Sequence, residues 1–341
     1  MGLVDVLKLA RVAPLFAASA FIASISHPNF NFSVSDSHVL SKLVDTDLEV
    51  YCEAAPEPIV DLSECAQPTY NPKKTKLSRT LNTESDRLRD EGKFFADERV
   101  FAVAYDHNNG TFLADIRGDE LMQVASMVKT LVGIAYLTKE ASGELIDADQ
   151  NSDYLELGKM ILFSNNRSTN ELIRKVGGPQ EVERIAKEYG LKDVSIVEYI
   201  PTKGKMKGRT YKNKASPKDL IKALDLLRKG DVPNSDLLWE LLYDSRGKRI
   251  SNLKDYPGEQ TFSKTGSTGM LIGDMGTVVY QDLNGEYNSV SLVIGVERDR
   301  RISDKYYSGW KKGRGDRVKD LARLTLDKIR TKSHVFSDYC L

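Results

Sequence analysis

Ser126-Met127-Val128-Lys129-Thr130-Leu131-Val132-Gly133-Ile134-Ala135-Tyr136-Leu137 sets a hydroxyl and a cation at the head of a mostly apolar run. Met127, Val128, Leu131, Val132, Ile134, Ala135 and Leu137 fall on nearly every face of a helix, the pattern of a helix enclosed by protein. Ser126 and Lys129 stand three residues apart and so share one face. A serine on a first turn lies near the positive end of the helix dipole, and its backbone N–H is available to an oxyanion. An ordinary lysine titrates near 10.4, and a base useful at neutral pH needs that lowered to roughly 7, about 4 kcal/mol, which burial and a second cation supply. The spacing alone does not decide between a nucleophile with its base and a capping serine with a snorkelling lysine. It recurs at Ser245/Lys248, Ser251/Lys254 and Ser308/Lys311, and only Ser126 opens a long apolar helix.

Outward from this helix, the pattern changes period. A polar helical stretch from Leu77 to Lys93 precedes an alternating strand, Val100 to Tyr105, the turn Asn108-Asn109-Gly110 and a returning strand, Thr111 to Ile116. After Leu137 the chain reads helical, with breaks at Gly177-Gly178-Pro179, Gly190 and Gly230. Strands resume at Thr261 to Ser267, Gly276 to Gln281 and Ser289 to Val296, followed by an amphipathic helix from Asp316 to Arg330. The expected fold is α+β: an antiparallel five-stranded sheet with strands from both chain ends, flanked by helices, with an all-helical insertion over about 138–258.

Lysine plus arginine and aspartate plus glutamate each number 49, so no global field favours nucleic acid. Lys8 and Arg11 precede an apolar run from Val12 to Ile25, with Ser24 and Ser26 suited to cleavage, so residues 1–26 read as a signal peptide or an uncleaved anchor. Export to a secreted or periplasmic location is expected. Residues 27–76 carry Pro28, Pro56, Pro58, Pro68 and Pro72 and little periodicity, and read as an extended pre-segment ahead of a domain over 77–332 and a tail, 333–341. Cys52 and Cys65 suit a disulfide as well as they suit two inert thiols, and Cys340 is left over.

The histidines are His27, His38, His107 and His334, and only His107, in the hairpin turn, lies within the patterned domain. That leaves almost no material for a Ser-His-Asp triad or a catalytic zinc, and no cofactor is implied.

Two further elements bear on Ser126. Ser164-Asn165-Asn166 follows the apolar helix Tyr154–Phe163 and precedes Asn170-Glu171-Leu172-Ile173, at a helix junction. Lys264-Thr265-Gly266-Ser267 lies in the first late strand, with a glycine that admits a ligand to the backbone. In this order the three resemble the S-x-x-K, S-x-N and K-T-G elements of the class A β-lactamase and penicillin-binding D,D-peptidase superfamily. Ser164 to Pro179 also resembles that family's stretch up to a Gly-Gly-Pro helix break, and Ser216-Pro217 its usual helix start, so the resemblance covers about Leu77 to Arg330.

The resemblance implies a serine acyl-enzyme hydrolase acting on β-lactams or D-Ala-D-Ala-like stem peptides of peptidoglycan, monomeric and associated with the cell envelope. Ser126 would be acylated and Lys129 its base; Ser164 would relay a proton to the leaving nitrogen, with Lys264 holding local charge. Asn166 would orient the substrate amide, Thr265 and Ser267 would hold its carboxylate, and the backbone N–H groups of Ser126 and Ser267 would form the oxyanion hole. Class A β-lactamases carry a deacylating glutamate where this chain has Ile200 before Pro201; Glu198 is two residues away. The departure points toward a D,D-carboxypeptidase or a slowly deacylating penicillin-binding protein. A catalytically idle peptidoglycan-binding protein and a glutaminase are the readings from other classes.

Overall fold

The computed structural model describes residues 71–202, 211–251, 259–281 and 285–330. The chain divides into two compact units, 1–68 and 69–341, and the described residues belong to the second. The signal-peptide reading, most of the pre-segment, the Cys52–Cys65 pair and the tail lie outside them.

Helix α1 (Lys76–Asp90) presents Leu77, Leu81 and Leu88 to the core and is capped by the Thr75 hydroxyl, which accepts from Ser78 N. The Thr75 hydroxyl donates to Leu113 O in turn, so the last residues assigned to the pre-segment are tied to the sheet. Strands β1 (Glu98–Asp106) and β2 (Thr111–Ile116) form the expected hairpin. The late strands are β6 (Gln260–Ser267), β7 (Leu271–Gln281) and β8 (Tyr287–Arg298). Sheet order is β2-β1-β8-β7-β6, with every neighbouring pair antiparallel.

β7 begins five residues before its sequence reading. The Leu271–Met275 stretch hides its alternation behind Gly273 and the buried Asp274. A Cβ on Gly295, which faces Gly273 across β7 and β8, would come within 2.4 Å of the Phe101 ring; these glycines leave room for that aromatic.

One face of the sheet packs with α1 and α8 (Asp304–Arg330) around Leu81, Leu88, Val100, Leu292, Val318 and Leu321. α8 starts twelve residues earlier than its periodicity announces. Gly309, Gly313, Gly315 and a run of cations blur its first turns in sequence, but Trp310 Nε1 and Arg314 Nε both donate to the buried Glu98 carboxylate, at 2.6 and 2.9 Å.

The insertion holds α2 (Val128–Ser142), α3 (Gln150–Leu162), α4 (Asn166–Val176), α5 (Pro179–Glu188), α6 (Pro217–Lys229) and α7 (Ser235–Asp244). Three two-residue strands, β3 (Met122–Gln123), β4 (Val194–Ser195) and β5 (Lys214–Ala215), pair in the order β3-β5-β4. They clip the 194–201 and 211–215 segments to the chain entering the Ser126 turn.

Candidate active site

Ser126 sits in the 3-10 turn Ala125–Met127 that feeds α2, partly exposed beside residues that are fully enclosed. The turn is strained: Ala125 has φ 45°, and its carbonyl accepts a 3.0 Å hydrogen bond from the Tyr211 hydroxyl. Val124 N donates to Asn213 O. Asn213 is buried and its side chain accepts from Val197 N and Glu198 N while donating to Glu198 O and Tyr211 Oη. One amide thereby fixes the 197–201 loop to the turn that carries Ser126.

Lys129, one turn into α2, is fully buried. Its Nζ lies 2.8 Å from Ser126 Oγ, 3.1 Å from Ser164 Oγ, 3.2 Å from Ser164 O and 2.8 Å from Asn166 Oδ1. Ser164 adopts φ 54°, which lets its carbonyl and its hydroxyl face the same amine. The Asn166 amide is oriented by Nδ2, which donates to Pro201 O at 2.8 Å. Burial first, and then the positive charge of Lys264, hold the Lys129 ammonium well below the usual lysine range.

A neutral amine has two protons and one lone pair. Ser164 O and Asn166 Oδ1 are acceptors only and take the two protons, which leaves the lone pair for a hydroxyl, with Ser126 the nearer.

Lys264 is buried in β6 and donates to Thr265 O at 3.3 Å. Burial brings it down to about 8 despite the attraction of Asp274, and Arg249 pushes in the same direction as burial. Asp274, enclosed on β7, accepts from the backbone N–H groups of Arg249 and Ile250. The Arg249 side chain donates to Gly273 O at 2.9 Å and to Ser267 Oγ at 3.0 Å. β6 is the outer strand at this end of the sheet and lies against the Ser126 turn. Gly266 makes that approach possible, since a Cβ there would stand 3.1 Å from Val124 O and 3.2 Å from Ala125 Cβ. The close neighbour at this glycine is the chain's own Ser126 turn.

A cleft of about 230 Å³ opens on this constellation, with Ser126, Asn166, Ser267, Ile200, Pro201 and Arg301 in its wall. Ile200 thus faces the cleft, whereas the Glu198 carboxylate accepts from Lys212 N at 2.9 Å and takes no part in the wall. The sequence reading of Glu198 as a nearby base does not fit this arrangement. Asn170 fixes the loop from below, donating to Ile200 O and accepting from Ile200 N.

His107 lies in the hairpin turn, as read from the sequence, and its ring is engaged there. Its buried ring places Nε2 2.6 Å from Ser291 Oγ and Nδ1 3.0 Å from Asp225 Oδ1. The three have the order of a hydrolytic triad, yet Ser291 is fully buried and shares its hydroxyl with Thr277 Oγ1 at 2.7 Å. It is a packed polar seam away from the cleft. Among the described residues, no three or more His, Cys, Asp or Glu side chains gather as metal ligands would.

A family model described as "Beta-lactamase enzyme family" matches residues 156–301. That span takes in Ser164, Asn166 and Lys264–Ser267, and begins after Ser126 and Lys129. Among solved structures, the chain resembles a mutant of PBP-A in an acyl-enzyme complex with penicillin G at 19% identity and TM-score 0.59, covering 78% of this chain and 100% of that one. Residues 156–301 thus match the β-lactamase family model, and the fold of the chain is β-lactamase-like. A β-lactamase from Chitinophaga pinensis is 17% identical with TM-score 0.58, covering 74% of this chain and 99% of its own. One from Sphaerobacter thermophilus is 18% identical with TM-score 0.57, covering 73% and 96%. At these identities the structural likeness speaks for the fold. No curated protein matches the chain in sequence.

The sequence reading missed Tyr211, Asn213, Arg249, Asp274 and Arg301. Tyr211-Lys212-Asn213-Lys214 and Gly247-Lys248-Arg249 read as polar loops, and only tertiary packing buries Tyr211 and Asn213 and brings Arg249 to Ser267. Asp274, an acid set in a strand beside a glycine, was the one legible signal.

Proposed function

We propose that this chain is a serine acyl-enzyme hydrolase that reacts with β-lactams or D-Ala-D-Ala-like peptides through Ser126. The observation that carries the proposal is the 2.8 Å contact between Ser126 Oγ and a Lys129 amine whose burial disfavours its charged form. Ser126 gives its proton to the Lys129 lone pair as Oγ attacks the carbonyl carbon. The carbon–nitrogen bond then breaks, and Ser164, in contact with Lys129, delivers the proton to the leaving nitrogen. Backbone N–H groups of Ser126 and Ser267 would receive the oxyanion. The Arg249 guanidinium and the hydroxyls of Ser267 and Thr265 supply charge and donors for a substrate carboxylate.

Ile200 supports slow deacylation, because the cleft wall there offers an apolar side chain and a water needs a base to attack the ester. The four contacts of Lys129 argue against an idle binding protein. Export remains an inference from residues 1–26.

Intact-protein mass spectrometry after brief exposure to benzylpenicillin tests the proposal. A long-lived adduct that Ser126→Ala abolishes is expected. Penicillin consumed without a lasting adduct would overturn slow deacylation, and neither adduct nor consumption would overturn the acyl-enzyme itself.

A further inference from the structure

Beyond the cleft lies a second groove of about 490 Å³, between the 247–249 turn and the first half of α8. Tyr307 stands in the walls of both, and Arg249, whose guanidinium holds Ser267 on the cleft side, lines the groove on the other. Lys311, Lys312 and Lys319 supply its remaining cations against the single acid Asp316. Asp316 is engaged by Lys312 at 3.2 Å, while Lys311 and Lys319 are exposed and make no ion pair among the described residues. A chain with no net charge therefore concentrates positive charge in a concavity that adjoins its candidate active site.

The spacing says what kind of anion fits. Lys311 and Lys319 are eight residues apart on one helix, roughly 12 Å along its axis. A single phosphate cannot meet both, whereas an extended peptide at about 3.3 Å per residue presents carboxylates over that length. The Tyr307 ring adds an apolar surface for the backbone between them.

We propose that this groove is a docking site for an acidic peptide segment of a partner protein, separate from the substrate held in the cleft. The site stands independently of the acyl-enzyme reading. It prefers carboxylate-rich peptides over neutral ones of equal length and contributes nothing to the reaction of a small β-lactam.

Fluorescence anisotropy on the full chain with labelled tetraglutamate and tetraglutamine peptides tests it. Tetraglutamate is expected to bind about tenfold more tightly, with the preference weakened by salt and removed by Lys311→Ala/Lys319→Ala. Lys187→Ala/Lys192→Ala, which removes the same charge from the helical insertion, is expected to keep it. Equal binding of the two peptides, or equal loss in both double variants, overturns the proposal. Inorganic polyphosphate binding more tightly than tetraglutamate, and losing affinity in Lys311→Ala/Lys319→Ala, would assign the groove to phosphate polymers instead. The penicillin adduct is followed on the same samples and is expected at the parent rate in Lys311→Ala/Lys319→Ala. Adduct without peptide preference sinks only the docking site, and peptide preference without adduct sinks only the acyl-enzyme.

Discussion

Burial and then the charge of Lys264 both disfavour a proton on Lys129, so the two contributions are separable by substitution. Lys264→Met removes the cation while keeping the buried volume. The Lys129 ammonium then deprotonates at higher pH, and the acid limb of the acylation rate is expected to move up in pH, as stopped-flow mixing with a chromogenic β-lactam would record. Lys129→Met, which removes the base, is expected to slow acylation by about 10²–10⁴-fold in the same assay. Ile200 invites the opposite manipulation. Ile200→Glu puts a carboxylate in the cleft wall and is expected to shorten the lifetime of the penicillin adduct; an unchanged lifetime would mean that the side chain at this position does not limit deacylation. Ser126, Lys129, Ser164 and Lys264 were singled out by the ordered resemblance to S-x-x-K, S-x-N and K-T-G, since the Ser126/Lys129 spacing alone fits a capping serine as well. Asn213 and Tyr211 were not, since their part is to hold backbone atoms of distant segments, and such partners leave no trace in local pattern.

The three-residue turn before α2 meets β6 edge to backbone, and the fit there depends on a missing side chain. Gly266→Ala would place a methyl 3.1 Å from Val124 O, which cannot retreat because Val124 N is tied to Asn213 O. A loss of about 1–3 kcal/mol in stability is expected from such overpacking, seen as a lower midpoint in urea, together with slower acylation as Ser126 is displaced. Helix α2 was plain in the sequence because its enclosure makes it apolar on every side. The true start of α8 was hidden, because its first turns are held by Trp310 and Arg314 reaching Glu98 across more than 200 residues of chain, a partnership that no periodicity encodes.

His107 sits where β1, β8 and α6 converge, and so joins the sheet to the helical insertion through Ser291 and Asp225. Burial, then the nearby Arg228, lower its pKa to about 4, against the pull of Asp225 and Asp106. The folded state favours the neutral ring, so this contribution is whole above pH 6.5 and is lost as pH falls from there toward 4, where the unfolded chain binds a proton that the fold refuses. It amounts to about 3 kcal/mol at most. The difference in urea stability between the parent and His107→Gln is expected to shrink over that window; a constant difference from pH 7 to 4 would refute the account. Strand membership from both chain ends was readable from where the periodicity of two resumed, but the order β2-β1-β8-β7-β6 was not, because the pairing of β1 with β8 depends on contacts between residues as far apart as Glu98 and Arg298. That pairing also has a consequence in time. A ribosome releases Ser126 and Lys129 long before Lys264, and β1 stays without its inner neighbour until β8 has emerged. Sheet closure is thus a late, long-range event, slow by its topology. A nascent chain carries the serine and lysine but no cleft, so the proposed nucleophile would stay dormant until synthesis is nearly finished.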